Sequence, residues 1–313
     1  MQDDLSTSDP QQALELLQRR DADWLQVQYD NRARVPDAAQ TLVRWAADSA
    51  LLRQQLLGVG RAQLDLAYGD GPDDRVDVFT PAPLPDDDEA VGAPVLVFIH
   101  GGWWRSLGKA DFSIVASAFT QAGALVMVPE YSLCPAVTVD GIARQMTRAL
   151  AWAWRNAERL GGDPRRIVVA GHSAGAHLAA MLLACDWKAV GADLPARLVR
   201  GALAISGVYD LEPLQHTAFL QADLRLTDED VARLSPLRHP APRGGQLFAT
   251  VGARESESFL AHSQALRFAW GPRTVPVCEA IPGCDHFSVV DDFVQPGGRQ
   301  HGLAWELLDG APV

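Results

Sequence analysis

Residues 165–184 read RRIVVAGHSAGAHLAAMLLA. A β-branched run, Ile167 to Val169, stops near Gly171, and an alanine- and leucine-rich stretch begins at Ala174. The first half suits a buried strand and the second a helix. Between them lie only Gly171, His172, Ser173, Ala174 and Gly175, so the strand must turn sharply into the helix. The G-x-S-x-G spacing suits such a turn. It strains the serine backbone, and the small residues on either side let strand and helix approach closely. The hydroxyl of Ser173 is lifted clear of the sheet at a helix start, where the dipole favours developing negative charge.

Outward from this corner the pattern repeats. PVLVFIH (94–100), ALVMVPE (124–130), GALAIS (201–206), QLFATVG (246–252) and VPVCEAIPG (275–283) read as further strands. Helical signals lie between them at 109–122, 138–160, 174–186 and 256–270. Strands that are apolar along their whole length and alternate with helices predict an α/β fold: a mostly parallel central sheet with helices on both faces. Residues 62–80 look like a hairpin, and PAPLPDDDEAVGAP (81–94) like a surface loop. We expect one domain over 1–313, with an N-terminal helical segment at 1–60. Residues 212–245 interrupt the alternation and read as a small cap over the strand ends or as a long surface connection. Within them Thr227 and Asp230 have the spacing of a helix-starting capping box.

Composition excludes several classes. The 313 residues are 48% hydrophobic and 21% charged, with a net charge of -12, so a phosphate backbone is a poor partner. Cys134, Cys185, Cys278 and Cys284 form no C-x-x-C pair and read as reduced thiols, not as a zinc site or a disulfide framework. The polar, acidic N-terminus lacks the basic and apolar regions of a signal peptide, and no apolar run approaches a membrane span. The expectation is a soluble cytoplasmic protein with a small-molecule substrate and no nucleic-acid or membrane partner. A homodimer is left open.

A serine hydroxyl needs a base to take its proton and an acid to orient that base, and at such a corner the chain order is serine, acid, histidine. His286 suits the base, because it follows the strand at 275–283 and precedes FSVVDDF. His177 and His262 lie inside helical stretches, His216 and His239 in the interrupted region, and His301 in the tail. The acid should follow QLFATV. Glu255 is nearer that strand end than Glu257, and Asp285 adjoins His286 too closely for a side-chain bond. His100-Gly101-Gly102-Trp103-Trp104 follows another strand, so the N–H groups of Gly102 and Trp103, with that of Ala174, are expected to form an oxyanion hole. Trp103 and Trp104 are expected to bind substrate.

On these residues the sequence resembles the α/β-hydrolase superfamily, and most of all its arylformamidase (kynurenine formamidase) branch, close to the hormone-sensitive-lipase-like esterases. YDNRARVPD (29–37), HGGWWRSLGKADFS (100–113), YSLCP (131–135), GHSAGAHL (171–178), SGVYDLEPL (206–214), DLRLTDEDVARLSPL (223–237), VGARESESF (251–259) and DHFSVV (285–290) carry the likeness, which covers about residues 25–295. It departs from the branch pattern at Ser132, where arginine is common, at Trp103, where tyrosine is common, and at Ala176, often glycine. The resemblance implies a catalytic Ser173, Glu255 and His286. It also implies cleavage of aryl formamides such as N-formyl-L-kynurenine through an acyl-enzyme, with no metal or organic cofactor. The alternatives are a carboxylesterase for short-acyl or aryl esters and, remotely, a non-catalytic binding protein of the same fold.

Overall fold

A computed structural model describes residues 3–5, 9–82 and 92–310; residues 83–91 of the loop read at 81–94 lie outside the described residues. The strands are β1 (Asp3–Asp4), β2 (Ala62–Ala67), β3 (Arg75–Phe79), β4 (Ala93–Ile99), β5 (Leu125–Pro129), β6 (Gly162–His172), β7 (Gly201–Ile205), β8 (Gln246–Gly252) and β9 (Val277–Ile281). They form one sheet in the order β1-β9-β8-β7-β6-β4-β5-β3-β2. The six from β5 to β9 in this order are parallel, and β1, β2 and β3 pair antiparallel at the two edges.

Period-two alternation sends each central strand into two cores. Val95, Val97 and Ile99 of β4 enter one, with Ile167 and Val169 of β6. Leu96 and Phe98 enter the other, with Val168 and Ala170. Helices Val139–Asn156 and Ala174–Leu183 cover the first face, and helices Ala38–Gly58, Ser288–Val294 and Arg299–Asp309 cover the second. Burial on both faces is why these strands carry no polar alternation.

Register then fixes the site. Ile99 lies opposite Gly171, so the His100–Gly102 loop after β4 emerges beside Ser173. His172 lies opposite Ile205 and Gly252 opposite Ile281, which gathers the chain ends after β6, β7, β8 and β9 along one edge. The turn at Ser173 needs glycine on both sides. A Cβ on Gly175 would overlap the carbonyl oxygen of Ile99, and one on Gly171 would overlap the backbone of Gly175.

The elements depart from the sequence reading in places. Residues 109–122 begin as a 3-10 helix (Lys109–Val115) and become α-helical only at Ala116–Gln121. The reason is local: the Ile114 N–H donates to Ser49 Oγ (3.0 Å) and so leaves the α-helical ladder. The helix read to Asp186 ends at Leu183, because Asp186 caps the following turn of helix through the Ala189 N–H. Strand β1 and the helix Arg299–Asp309 were not anticipated. Residues 212–245 fold as short helices Glu212–Gln215, Ala218–Leu224 and Asp228–Leu234, the last with the expected Thr227/Asp230 capping box.

Candidate active site

Ser173 holds φ 57° and ψ -116°, a left-handed backbone imposed by the abrupt change from β6 to the helix Ala174–Leu183. Its own N–H donates to the Ile205 carbonyl (2.8 Å), which pins the corner to β7. Its Oγ lies 3.1 Å from His286 Nε2. On the far side of the ring, His286 Nδ1 donates to Glu255 Oε2 at 2.6 Å. Glu255 Oε1 is held in turn by the Ser206 hydroxyl (2.5 Å) and the Gly252 N–H (2.7 Å). Ser173, Glu255 and His286 are each 5% exposed or less. A hydroxyl, an imidazole and a carboxylate thus stand in one line, shielded from water.

Each side chain reaches this line from a different strand end. Ser206 follows β7 and itself carries φ 55°. Glu255 closes a turn after β8 through its N–H to the Gly252 carbonyl (3.0 Å), and Ser256 then caps the helix that starts at Glu257. Glu257 faces elsewhere and accepts from Gln28 at 3.4 Å. Asp285 caps the Phe287 and Ser288 N–H groups, so its carboxylate is occupied in turning the chain after His286. Phe259 packs on the His286 ring at 4.7 Å and Phe287 meets it edge-on at 5.7 Å, which leaves the imidazole little freedom to rotate.

The other buried histidines serve the frame. His172 donates through Nε2 to the His286 carbonyl (2.8 Å); burial and the neighbouring His286 ring hold its pKa well below the ordinary value. Burial lowers His177 to about 4 and His262 to about 3. His177 bonds the Leu234 carbonyl, and His262 bridges the Tyr29 hydroxyl and the Tyr209 N–H. Cys134, Cys185 and Cys284 are pushed up to about 11 by burial, so none is an activated thiol.

The loop after β4 carries three left-handed residues in a row, Gly102, Trp103 and Trp104. The Gly102 carbonyl takes the N–H groups of Arg105 and Ser106. Among the described residues no backbone acceptor takes the N–H of Gly102, Trp103 or Ala174, which leaves those donors for a bound group. Tyr131 props this loop from below, its hydroxyl on the His100 carbonyl at 3.0 Å.

A cavity of about 40 Å³ lies against Ser173 and His286. Trp103 lines it, with Gly102, Ser106, Leu107, Phe112 and Phe287. Trp104 does not: this third left-handed residue turns its ring into the core, fully buried and edge-on to His177 at 5.1 Å. The expectation that Trp104 contacts substrate is corrected accordingly. Apart from His172, the rest of the wall comes from the N-terminal segment, as Asn31, Arg32, Leu42 and Trp45, and no residue of 212–245 contributes. That interrupted region packs behind instead; its Asp223 pairs with Arg105 at 2.5 Å and its Glu212 with Arg20. Sequence reasoning missed Asn31, Arg32 and Trp45 because an N-terminal helix over the site looks like any surface helix. It also missed Ser206 and Gly252, whose part is visible only through β7–β8 pairing.

Comparisons with known proteins agree with this architecture. A family profile described as the alpha/beta hydrolase fold matches residues 96–243. The kynurenine formamidase of Danio rerio is 29% identical over 280 residues, covering 87% of this chain and 91% of that protein. Esterase LipQ of Mycobacterium tuberculosis is 34% identical over 152 residues, 47% of this chain and 35% of its own length. A solved structure from Silicibacter sp. superposes with a TM-score of 0.77 at 29% identity, covering 90% of this chain and 98% of that one. The chain has the α/β-hydrolase fold and is an enzyme of hydrolytic activity. Its likeness is to arylformamidase-like hydrolases and hormone-sensitive-lipase-like esterases.

Proposed function

We propose that the protein hydrolyses aryl formamides, N-formyl-L-kynurenine or a close analogue, through a formyl-enzyme on Ser173. One observation carries the chemistry: the unbroken hydrogen-bond line from Ser173 Oγ through His286 to the doubly anchored Glu255. Ser173 Oγ attacks the formyl carbon as its proton passes to His286 Nε2. Glu255 fixes the ring with Nδ1 protonated and stabilises the imidazolium. The N–H groups of Gly102, Trp103 and Ala174 steady the tetrahedral oxyanion. His286 then gives its proton to the departing aryl amine. A water, deprotonated by the same nitrogen, attacks the formyl ester; as the bond to Ser173 Oγ breaks, His286 returns that proton to the serine oxygen and formate leaves.

Three features support the formamide over a bulkier ester. The match to the Danio rerio kynurenine formamidase runs along most of both chains, whereas the match to esterase LipQ covers less than half of each. The cavity beside Ser173 is walled by the aromatic rings of Trp45, Trp103, Phe112 and Phe287, which suits an aryl leaving group. Arg32 lines the same cavity, is exposed, and has no carboxylate partner among the described residues, which suits the anionic tail of an amino-acid substrate. The N-terminal residues 31–45 wall the pocket in this reading, and 212–245 pack behind it, tied to Arg20 and Arg105.

The test compares kcat/KM on N-formyl-L-kynurenine with that on p-nitrophenyl acetate and butyrate. The formamide should win, and Ser173→Ala should lose fluorophosphonate labelling together with about 10⁵–10⁶ of the turnover. Strong ester turnover without measurable deformylation leaves a carboxylesterase in its place.

A further inference from the structure

Among the described residues, Asn31 is the one lining the Ser173 cavity whose side chain is both buried and wholly unpaired. It is 4% exposed, and neither Oδ1 nor Nδ2 has a hydrogen-bond partner. Its carbonyl is accounted for: Asn31 opens the short helix Asn31–Arg34, which Asp30 caps through the Ala33 N–H (3.1 Å), and that carbonyl accepts from Val35. Neighbours of the same segment spend their polar groups on the frame, as Trp45 does through Nε1 to Asp291 (3.0 Å). A buried amide with both ends unmade is costly to the folded state unless something in the cavity completes it.

We infer that Asn31 is a specificity-determining residue that reads the scissile amide, its Oδ1 accepting the anilide N–H and its Nδ2 donating to a carbonyl ortho to that nitrogen. The inference rests on the reading of the chain as an aryl formamide hydrolase. Side-chain carboxamides offer one acceptor and one donor edge. An ortho-acyl formanilide offers the matching pair. The corresponding aryl formate offers acceptors only: Asn31 can turn its amide over to donate, but Oδ1 then stays buried without a donor. Sites that hydrogen-bond a substrate N–H reject the analogue lacking it for this reason. Asn31 thereby favours amide over ester in a fold whose nucleophile serves both.

The experiment measures kcat/KM of the full chain on ortho-acetylformanilide and on ortho-acetylphenyl formate, corrected for spontaneous hydrolysis. The wild type is compared with Asn31→Ala and with the near-isosteric Asn31→Leu, which keeps the packing. Both variants should lose about 10- to 100-fold on the anilide while the formate changes by less than about threefold. The readout is the anilide-to-formate ratio, which a general loosening of the site does not move. Equal losses on both substrates, or no loss on the anilide, overturn the role of Asn31 and leave the formamidase reading intact. A wild type inert toward the anilide overturns both, and the wild-type measurement alone reveals it.

Discussion

Replacing Glu255 by glutamine isolates what the carboxylate does, because the structure dictates how the new amide must sit. Oε1 of Glu255 accepts the Gly252 N–H, a group that can only donate. In Glu255→Gln the amide oxygen must therefore keep that position, and the NH₂ is forced to face His286 Nδ1. An NH₂ there donates to the ring, so the neutral imidazole carries its proton on Nε2, the nitrogen 3.1 Å from Ser173 Oγ. That tautomer cannot take the serine proton, and the imidazolium loses its counter-charge. A wrong tautomer in such a relay lowers kcat by about 10⁴, or about 5.4 kcal/mol at 1.36 kcal/mol per decade. Folding should hardly change, since both Oε1 bonds survive and the volumes match. The assay is kcat on N-formyl-L-kynurenine and on p-nitrophenyl acetate, with the fluorophosphonate labelling rate followed in parallel. Glu257→Gln is the control, because Glu257 touches Gln28 and not His286. A loss of under about tenfold in Glu255→Gln, or an equal loss in the control, refutes the carboxylate's role in setting the tautomer.

Gly175→Ala should be destabilising as well as inactivating: its Cβ would overlap the Ile99 carbonyl oxygen and lie 2.7 Å from the His100 oxygen, and neither strand end can yield. We expect a loss of about 2–3 kcal/mol in urea unfolding, with kcat down about 100-fold as Ser173 shifts. Stability should also fall between about pH 7 and pH 4, because His172, His177 and His262 are kept neutral by burial. Their folded-state pKa values lie below the unfolded value, so below about pH 6.5 the unfolded chain binds protons that the folded chain refuses. The slope is up to about 1.4 kcal/mol per pH unit for each ring, levelling off near the folded values of about 4 and about 3 for His177 and His262. Urea midpoints that stay flat from about pH 7 to pH 5 would show that these rings are not buried neutral.

The sequence by itself determined the alternation of strands and helices, the serine corner and the chain order of the groups proposed to react. Strands buried on both faces have an unmistakable composition, and a strand turning at once into a helix tolerates only small residues at Gly171 and Gly175. Such local signals survive in one dimension. Glu255 could be preferred to Glu257 by its distance from a strand end, and to Asp285 because that residue adjoins His286, again local quantities. Only the tertiary structure decided what surrounds the hydroxyl. Trp103 and Trp104 are adjacent and alike in the sequence, yet one lines the cavity and the other is core, because two consecutive left-handed residues send their rings in different directions. Asn31, Arg32 and Trp45 lie more than a hundred residues before Ser173, and the pocket wall they form is set by how the N-terminal helices pack, which no periodicity encodes. Ser206 and Gly252 hold Glu255 only because parallel pairing aligns the ends of β7 and β8. Chemistry follows from residue type and order, but pocket shape follows from long-range packing.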